Sequence, residues 1–471
     1  MKGLIWFRED LRLHDNAALY HASKLCSEGI LGLYVVDTCF WKKHHMAACR
    51  VQFLLAGLAE LSQSLQKRHV PLLIKSVKRT SDIPETLHQC IKKYQLDALF
   101  FNKQYEIDEK RRDQAVCAYL SQHKMKCYAY DDQVILPPGA ILTQQGKIFS
   151  IFTPYKRAYL KLLLNNPNSI TNYSLPKLQS IINIRSSKVP LRLPGFSSTI
   201  IWPSGEKEAQ RRLKKFIKDN LFNYHKTRDF PALAGTSLLS PYLAAGMISP
   251  RQCFLAALMA NKGEYDSGNK GATTWMSELI WRDFYKHLLV AIPRLSMHQP
   301  YRLETEKLKW RFNTKQLLAW QQGNTGYPIV DAGMRQLKQI GWMHNRLRMI
   351  VAMFLTKNLF FDWRLGEDFF IRHLIDGDLA ANNGGWQWSA STGTDAAPFF
   401  RIFNPTRQSE RFDPKGDFIR HYCPELSLLD ARSIHDPYQR APKLALQSGY
   451  PKPIIDFKRS RIATIKAFKS L

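Results

Sequence analysis

Residues 4–7, LIWF, are the first of four short apolar runs that alternate with amphipathic stretches over the first 130 residues. The other three runs are ILGLYVV at 30–36, PLLI at 71–74 and ALFF at 98–101, and apolar residues recur at helical spacing in 51–67 and 83–94. Strands that alternate with helices favour right-handed crossovers and a parallel sheet covered on both faces. We therefore predict an α/β domain over residues 1–132.

The turn after the first strand lacks the glycine fingerprint of dinucleotide-binding sheets. The sequence there reads REDLRL, at residues 8–13, rather than GxGxxG. In such sheets the glycines let the backbone approach a pyrophosphate closely. A nucleotide bound by this protein is therefore not expected to be held at this sheet in the usual way.

The apolar pattern loosens after residue 132 and becomes helical after residue 204. Residues 133–204 are rich in Ser, Asn and Pro, and we interpret them as an interdomain connector with one helix at 153–164. Beyond the connector strand signals are nearly absent, and helical spacing recurs at 206–218, 250–260, 273–290, 314–321, 329–339 and 345–358. This pattern predicts a large all-α domain over residues 205–471.

The chain is strongly basic but not a disordered polycation. Its 68 Lys and Arg residues exceed its 39 Asp and Glu residues, which gives a formal net charge of +29. Because 45% of the residues are hydrophobic, there is enough apolar matter for a packed core. The surplus points to a polyanionic partner such as nucleic acid or an anionic membrane surface, with simple solubility or a basic proteome as the alternative.

The eight cysteines are spread along the chain and form no CxxC pair, so we predict no structural metal site. We interpret them as reduced thiols of a cytoplasmic protein. The first ten residues turn charged directly after LIWF, unlike a signal peptide, and no apolar run approaches the roughly 20 residues that span a bilayer. We therefore predict no membrane association.

Residues 273–287, TTWMSELIWRDFYKH, carry an unusual helix face. Trp275, Glu278 and Trp281 fall at helical spacing, so two indoles flank one carboxylate. Glu is rarely buried without a partner, and Trp is rarely buried completely. The face is either a packing surface with a peripheral Glu or a cavity wall that offers aromatic planes and one carboxyl to a flat ligand.

Two further segments are suited to anions. In GWMHNRLRM, residues 341–349, Asn345 is a reasonable helix cap, and the arginines suit phosphates or carboxylates through their planar fork. In RDFPALAGTSLLS, residues 228–240, hydroxyls surround a Gly turn at the expected start of a helix, where backbone N–H groups can meet a phosphate. A solvated basic turn and an ordinary helix cap are the alternatives.

The densest segment is LIDGDLAANNGGWQWSASTGTDAAPFFRIF, residues 374–403. It places two aspartates, two asparagines and two tryptophans within thirteen residues, and its glycines predict little helix. This composition is typical of a ligand pocket with a few convergent polar groups. The acids lack the spacing of a calcium loop.

Together these segments resemble the DNA photolyase and cryptochrome family. The resemblance covers essentially the whole chain, and it is carried by WFREDLRLHDNAAL at 6–19, TGYPIVDAGMRQL at 325–337, GWMHNRLRM at 341–349 and DGDLAANNGGWQWSASTGTDAAPFF at 376–400. Within the family the chain is most similar to the bacterial class I cyclobutane pyrimidine dimer photolyases. The resemblance implies a Rossmann-like antenna-binding domain and a helical FAD-binding domain.

The resemblance implies that FAD binds in the helical domain. The implied diphosphate contacts are Tyr224 and the turn of Thr236, Ser237, Leu238, Leu239 and Ser240; the implied flavin and adenosine contacts are Trp275, Glu278, Trp342, Asn345, Arg348, Asp376, Gly377, Asp378 and Asn382. An ion pair between Arg348 and Asp376 is expected against the flavin ring, and Asn382 is expected beside flavin N5. Leu238 departs from the family, which usually has Arg there.

The resemblance also implies how damaged DNA is bound. Trp281 and Trp388 are expected to sandwich the extruded dimer, and Glu278, Asn345 and Met349 to line its pocket. Backbone phosphates are expected at Arg228, Arg346, Arg401 and Gln408. Trp386, Trp363 and Trp310 match the family's electron relay, whereas His14, His44 and His344 are not expected to act as catalytic bases.

An antenna chromophore is expected in the N-terminal domain, most simply 5,10-methenyltetrahydrofolate at His44, Asp108 and Glu109. Two departures from folate-binding relatives bear on this: Asp108 replaces Asn, and Ser296 and Met297 replace Cys and Lys. A deazaflavin chromophore or an empty pocket is the alternative.

The implied activity is light-driven repair of pyrimidine dimers by electron transfer from photoexcited reduced FAD. Ultraviolet-damaged DNA, single- or double-stranded, is the expected partner, and the protein is expected to be a monomer. Two other readings remain open: a cryptochrome-like photoreceptor without repair activity, and a DNA-binding protein that merely retains a flavin.

Overall fold

The structure is a computed structural model that describes residues 1–170 and 172–471, except the side chain of Asn168. Among these residues there are five β-strands: β1 (Gly3–Phe7), β2 (Ile30–Val36), β3 (Leu72–Ser76), β4 (Ala98–Asn102) and β5 (Lys126–Tyr130). The α-helices are Ala17–Leu25, Thr38–Lys43, Ala48–Gln66, Ile83–Lys93, Ile107–Gln122, Phe152–Asn165, Glu206–Asp219, Tyr224–Thr227, Ser240–Ala244, Pro250–Ala260, Lys270–Ala291, Thr314–Gln322, Pro328–Ile340, Asn345–Met353, Trp363–His373, Leu379–Ala390, Pro405–Phe412, Asp417–Tyr422, Pro437–Arg440, Pro442–Gln447 and Phe457–Lys469.

The five strands form one parallel sheet in the order β3-β2-β1-β4-β5. The central strand β1 is buried along its whole length, as expected for a sheet covered on both faces. This confirms the predicted α/β fold. The edge strand β5, KCYAY, is only partly buried and carries no apolar run, which is why the sequence pattern does not reveal it.

The chain forms two compact units by its internal contacts. The first unit comprises residues 1–222, 237–297 and 375–380, and the second comprises residues 223–236, 298–374 and 381–471. The division into domains at residues 132 and 204 stays a prediction, as does the connector between them. The helix predicted at 153–164 within that connector is confirmed as Phe152–Asn165.

Buried ion pairs hold distant segments of the first unit together. The Arg251 guanidinium binds the carboxylates of Asp15 and Asp132 at 2.9 and 2.7 Å, and Arg12 binds Asp132 at 2.7 Å. All four side chains are almost fully buried. The helix Pro250–Ala260 is thereby fixed to the loop after β1 and to the segment after β5.

The second unit is almost entirely helical among the residues described. Its core contains Trp320, Trp363 and Trp386 together with apolar residues of the helices Pro328–Ile340 and Asn345–Met353. A single π-helical turn, Phe354–Asn358, continues the latter helix, so the predicted helix 345–358 is observed in two parts.

Two local predictions are wrong. The cap of the helix Asn345–Met353 is His344, whose side chain accepts a hydrogen bond from the Arg346 N–H, so Asn345 is the first helical residue. Residues 379–390 form a helix despite Gly384 and Gly385. Side-chain hydrogen bonds of Asn383 and Gln387 support this helix where intrinsic propensity does not.

Candidate functional site

The helix Lys270–Ala291 of the first unit presents the predicted Trp–Glu–Trp face. Trp275 is buried and packs on Phe216 with ring centroids 4.8 Å apart, whereas Glu278 and Trp281 are half-buried. Trp281 stacks in parallel on Phe152, with ring centroids 3.6 Å apart and planes 10° apart. Glu278 and Trp281 therefore remain accessible on one helix face, while Trp275 belongs to the packing behind it.

A buried lysine on the same helix joins two other parts of the first unit. Lys286 Nζ lies 2.8 Å from an Asp378 oxygen and 3.0 Å from a Glu106 oxygen. Burial opposes the charged form, but the two carboxylates outweigh burial and raise the pKa of Lys286. Lys286 thus fixes the predicted flavin contact Asp378, and sequence reasoning missed it because both partners are distant along the chain.

The turn at Ser237–Leu239 contains one residue with a left-handed backbone. Leu238 adopts a left-handed backbone with φ of 51°, and the Ser237 hydroxyl accepts from the Leu239 N–H at 3.4 Å. Leu239 is buried, and the exposed Ser240 begins a helix of only five residues. A helix this short adds little dipole, so any phosphate here must be bound by hydroxyls and single N–H groups.

The predicted antenna residues lie close together within the first unit. Asp108 pairs with Lys43 at 2.6 Å and with His44 at 3.3 Å, and the Lys43 ammonium lowers the pKa of Asp108. The next residue, Glu109, has a buried carboxyl, and burial and then the charge of Glu106 raise the pKa of Glu109 to about 8. Burial thus favours the neutral form of the Glu109 carboxyl, and in that form the carboxyl can donate a hydrogen bond.

Two buried polar atoms in this region have no hydrogen-bond partner among the residues described: Glu109 Oε2 and Ser296 Oγ. Ser296 belongs to the short helix Pro293–Met297, which packs on Ile107–Gln122. Buried polar atoms normally find partners. The arrangement therefore fits a bound molecule with a polar edge.

In the second unit the orientation of the Asn382 amide is fixed. Its Nδ2 donates to the Glu367 backbone oxygen at 3.0 Å, so Oδ1 is the acceptor that the side chain can turn to a ligand. The buried Glu367 carboxylate in turn binds Asn383 at 2.9 Å and His298 at 2.8 Å. Glu367 was not predicted, and its only sequence signal is an acid amid the aromatic residues of the helix Trp363–His373.

Two of the three predicted phosphate-binding arginines lie against one acid, Asp229. Arg346 donates to Asp229 at 2.7 Å and lies 4.3 Å above the Phe412 ring, and Arg228 lies 3.9 Å from the same carboxylate. Two cations against one anion leave a net positive charge at this surface. Sequence reasoning passed over Asp229, although it directly follows Arg228.

The other predicted residues of the second unit take varied positions. Arg348 Nε donates to the Met343 carbonyl at 2.8 Å, which sets the plane of its guanidinium. Trp342 and Tyr224 are buried; Met349, Trp388, Thr236 and Gln408 are half-buried; Asn345 and Arg401 are exposed.

The three tryptophans of the expected relay belong to one aromatic region of the second unit. Trp386 and Trp363 are buried, and Trp310 is half-buried beside Phe360. A Cβ at Gly366 would lie 2.1 Å from the Trp386 ring, so glycine allows Trp386 to pack directly on the helix that begins at Trp363. Trp320, 6.1 Å from Trp386 between ring centroids, is an aromatic neighbour that the sequence did not indicate.

No described helix is long and apolar enough to cross a membrane, and no group of three or more His, Cys, Asp or Glu residues within the described ranges could hold a metal ion.

Two family models match the chain. The model described as DNA photolyase matches residues 3–172, and the model described as the FAD binding domain of DNA photolyase matches residues 275–470. The second match contains most of the predicted FAD and lesion contacts, and the first contains the predicted antenna residues.

Curated relatives match over nearly their full lengths. The deoxyribodipyrimidine photo-lyase of Escherichia coli (strain K12) is 45% identical over 470 residues, which cover 99% of this chain and 98% of the relative. The enzyme of the same name from Vibrio cholerae is 41% identical and covers 99% of both chains.

Solved structures match as well. A bacterial class III photolyase from Agrobacterium tumefaciens has a TM-score of 0.89 at 34% identity, covering 100% of this chain and 97% of that one. A cryptochrome from Synechocystis sp. PCC6803 has a TM-score of 0.88 at 28% identity, covering 99% of both chains. The fold is thus shared with a photolyase and with a cryptochrome, whereas the relatives with higher identity carry the photo-lyase name.

Proposed function

The chain belongs to the DNA photolyase family, and from this membership we propose that it is a deoxyribodipyrimidine photo-lyase, which uses light and FAD to repair cyclobutane pyrimidine dimers. The observation that carries the proposal is the accessible face of the helix Lys270–Ala291, where half-buried Glu278 and Trp281 sit one turn apart. One carboxyl and one indole in this arrangement suit two covalently linked pyrimidines, which offer a ring face to the indole and carbonyl-bearing edges to the carboxyl.

We assign FAD to the residues given by the resemblance, and several features support the fit. The amide of Asn382 is held by Glu367, Asp378 is held by Lys286, and the guanidinium of Arg348 is held by the Met343 carbonyl. A polar cofactor edge would meet groups that are already oriented, which lowers the entropic cost of binding. When bound and reduced, FAD supplies the light-excited electron that opens the cyclobutane ring and is then returned.

The protein's own part in repair is to bind and orient the lesion. Extruding bases from the duplex requires the least free energy where base stacking is already disturbed, so extrusion is favoured at damaged sites. Trp281 and Trp388 are assigned to stack on the extruded bases and Glu278 to hydrogen-bond their carbonyl edge. Arg228, Arg346, Arg401 and Gln408 are assigned to flanking phosphates, where the net positive charge around Asp229 supports binding.

Trp310, Trp363 and Trp386 are proposed as an electron relay for light-driven reduction of the oxidised cofactor. Their gradation from half-buried Trp310 to buried Trp363 and Trp386 supports a path that starts near solvent. A folate antenna is proposed at His44, Asp108 and Glu109, supported by the unpartnered Glu109 and Ser296 oxygens.

The competing function is that of a cryptochrome-like photoreceptor, since a cryptochrome shares the fold. Dimer repair is favoured because curated photo-lyases reach 45% identity over 99% of the chain. The boundaries at residues 132 and 204, the monomeric state, the cytoplasmic location and the type of DNA strand bound stay predictions.

The decisive experiment is a repair assay with the purified, FAD-loaded and chemically reduced protein. An oligonucleotide with one thymine dimer is incubated in the dark or under near-ultraviolet to blue light, and intact thymines are counted by chromatography. We expect loss of dimers only in the light. Equal persistence of dimers in both arms would rule out repair and leave the photoreceptor reading.

Glu278→Ala tests the assigned lesion contact. We expect the repair rate to fall about tenfold or more, with a smaller loss of DNA affinity. A hydrogen bond to the reacting bases affects the rate of the reaction, whereas DNA affinity depends on many other contacts along the duplex. Glu304→Ala, on an exposed carboxylate of the second unit, serves as the control. Equal losses of rate and affinity would contradict the assignment.

A further inference from the structure

The stack of Phe152 on Trp281 has the shortest distance between ring centroids of any parallel aromatic pair among the described residues. The ring centroids are 3.6 Å apart with planes 10° apart, and Phe152 is only 6% exposed. Phe284 meets the same indole edge-on at 5.6 Å and 79°. Tyr285, one turn further along the helix of Trp281, also lies beside the indole, with ring centroids 5.6 Å apart and planes tilted by 30°. Phe152 covers one face of Trp281, so a base that stacks on this indole must do so on the opposite face.

The position of Phe152 is itself fixed by hydrogen bonds. Phe152 begins the helix Phe152–Asn165, which carries Tyr155 and Tyr159 one and two turns further on. The Tyr155 hydroxyl lies 3.0 Å from His287 Nδ1, and the Tyr159 hydroxyl donates to Asp283 Oδ2 at 2.8 Å. His287 and Asp283 lie on the helix of Trp281, so two buried bonds hold the two helices in the register that brings Phe152 onto the indole.

Without a backing ring, an indole that is half-buried can rotate about its two side-chain torsions. Aromatic pairs with this geometry contribute more stabilising free energy than their buried area alone accounts for, and they restrict the motion of both rings. A ligand that stacks on an indole binds more tightly when the plane of the indole is already fixed. If the indole must first be ordered, the entropy lost in ordering it reduces the binding free energy.

We propose that Phe152 is a positioning residue for damaged DNA, which holds the plane of Trp281 so that the indole presents one fixed face to the extruded dimer. The proposal rests on the proposed function, since it takes Trp281 to be the lesion contact. It gives the segment FTPYKRAYLKLL, residues 152–163, a role in substrate binding that its place between the predicted domains does not indicate.

The test compares five variants of the FAD-loaded full chain: Phe152→Leu, Phe152→Tyr, Tyr155→Phe, Trp281→Ala and Phe149→Leu. Phe149 is the matched control, because its ring contacts Tyr155 edge-on at 6.2 Å rather than Trp281. Dissociation constants are measured in the dark for oligonucleotides with and without one thymine dimer. The repair rate of prereduced protein at saturating substrate is measured separately.

For Phe152→Leu we expect about 5- to 10-fold weaker binding of dimer-containing DNA, because part of the base-stacking energy is lost. Binding of undamaged DNA and the saturated repair rate should change by less than about twofold, and Phe152→Tyr should restore affinity. Tyr155→Phe, which removes only the hydroxyl that bonds His287, should show a weaker loss in the same direction.

The outcomes distinguish the positioning role of Phe152 from the lesion contact assigned to Trp281. If Trp281→Ala weakens dimer binding while Phe152→Leu behaves like Phe149→Leu, the positioning role is wrong and the lesion contact stands. If Trp281→Ala has no effect, the proposed lesion contact itself fails. A Phe152→Leu protein that loses affinity for both DNAs alike, or that does not fold while Tyr155→Phe binds dimers normally, also overturns the inference.

Discussion

Two buried basic groups, Arg251 in the first unit and Lys357 in the second, are held in opposite ways. In the first unit Arg251 lies between the carboxylates of Asp15 and Asp132. In the second unit Lys357 donates to the Ser391 hydroxyl at 2.6 Å and lies 4.1 Å from the Phe468 ring. Burial disfavours both charges, yet the carboxylates outweigh burial and raise the pKa of Arg251, whereas burial lowers the pKa of Lys357 to about 7.

For these two groups the partners account for the opposite directions of the pKa shifts. Carboxylates supply the electrostatic energy that water no longer provides, while a hydroxyl and a ring supply much less. The first unit accordingly joins distant segments through ion pairs, and the second is organised around aromatic rings such as Trp320, Trp363 and Trp386.

The largest effect is expected from Arg251→Met, which leaves Asp15 and Asp132 buried without their guanidinium. Breaking one side of a buried ion pair typically costs about 3–5 kcal/mol in the free energy of unfolding. This loss of stability is measured by urea denaturation of the wild-type and variant proteins, followed by circular dichroism. A loss below about 1 kcal/mol would mean that Arg12 alone neutralises this cluster.

Lys357→Met should change how stability depends on pH. Between its folded pKa of about 7 and its ordinary value, only the unfolded chain holds the proton, so the wild-type free energy of unfolding rises with pH. Lys357 is expected to add about 2–3 kcal/mol to the increase in the free energy of unfolding between pH 7 and 9, and this contribution is absent in the variant. Parallel stability curves for the two proteins across that range would show that Lys357 stays charged.

Trp386→Phe separates the structural and electronic roles of the aromatic core. We expect a stability loss of about 1–2 kcal/mol, because the smaller ring leaves space beside Gly366 and Trp320. Photoreduction of oxidised FAD, followed by the loss of its visible absorption, should fall at least about tenfold, since the relay is broken. Repair by prereduced protein should persist; its loss together with photoreduction would remove Trp386 from the relay.

The smallest effect is expected from Glu304→Gln, which removes the exposed pair with Arg302 at 2.9 Å. Both side chains are about half exposed, so solvent screens the pair, and the free energy of unfolding should fall by about 0.5 kcal/mol or less. The same denaturation assay at low and high salt checks this. A loss as large as that of Arg251→Met would erase the contrast between buried and exposed pairs.

The sequence by itself determined the alternating pattern of the parallel sheet, the helical second half and the family, together with most of the residues assigned to cofactor and DNA. These are local properties, because periodic burial and short motifs are written in consecutive residues. Where local signals were weak, prediction failed: β5 lies at a polar sheet edge, and the helix Leu379–Ala390 contains two adjacent glycines.

Only the tertiary structure decided which side chains hold the site residues in place. Lys286 meets Glu106 and Asp378, Glu367 orients Asn382, and Phe152 covers one face of Trp281. Phe152 and Trp281 are separated by more than a hundred positions, and no local pattern marks one as the partner of the other. Such contacts arise from the packing of whole helices, since the register between two helices is set by all the side chains along their interface.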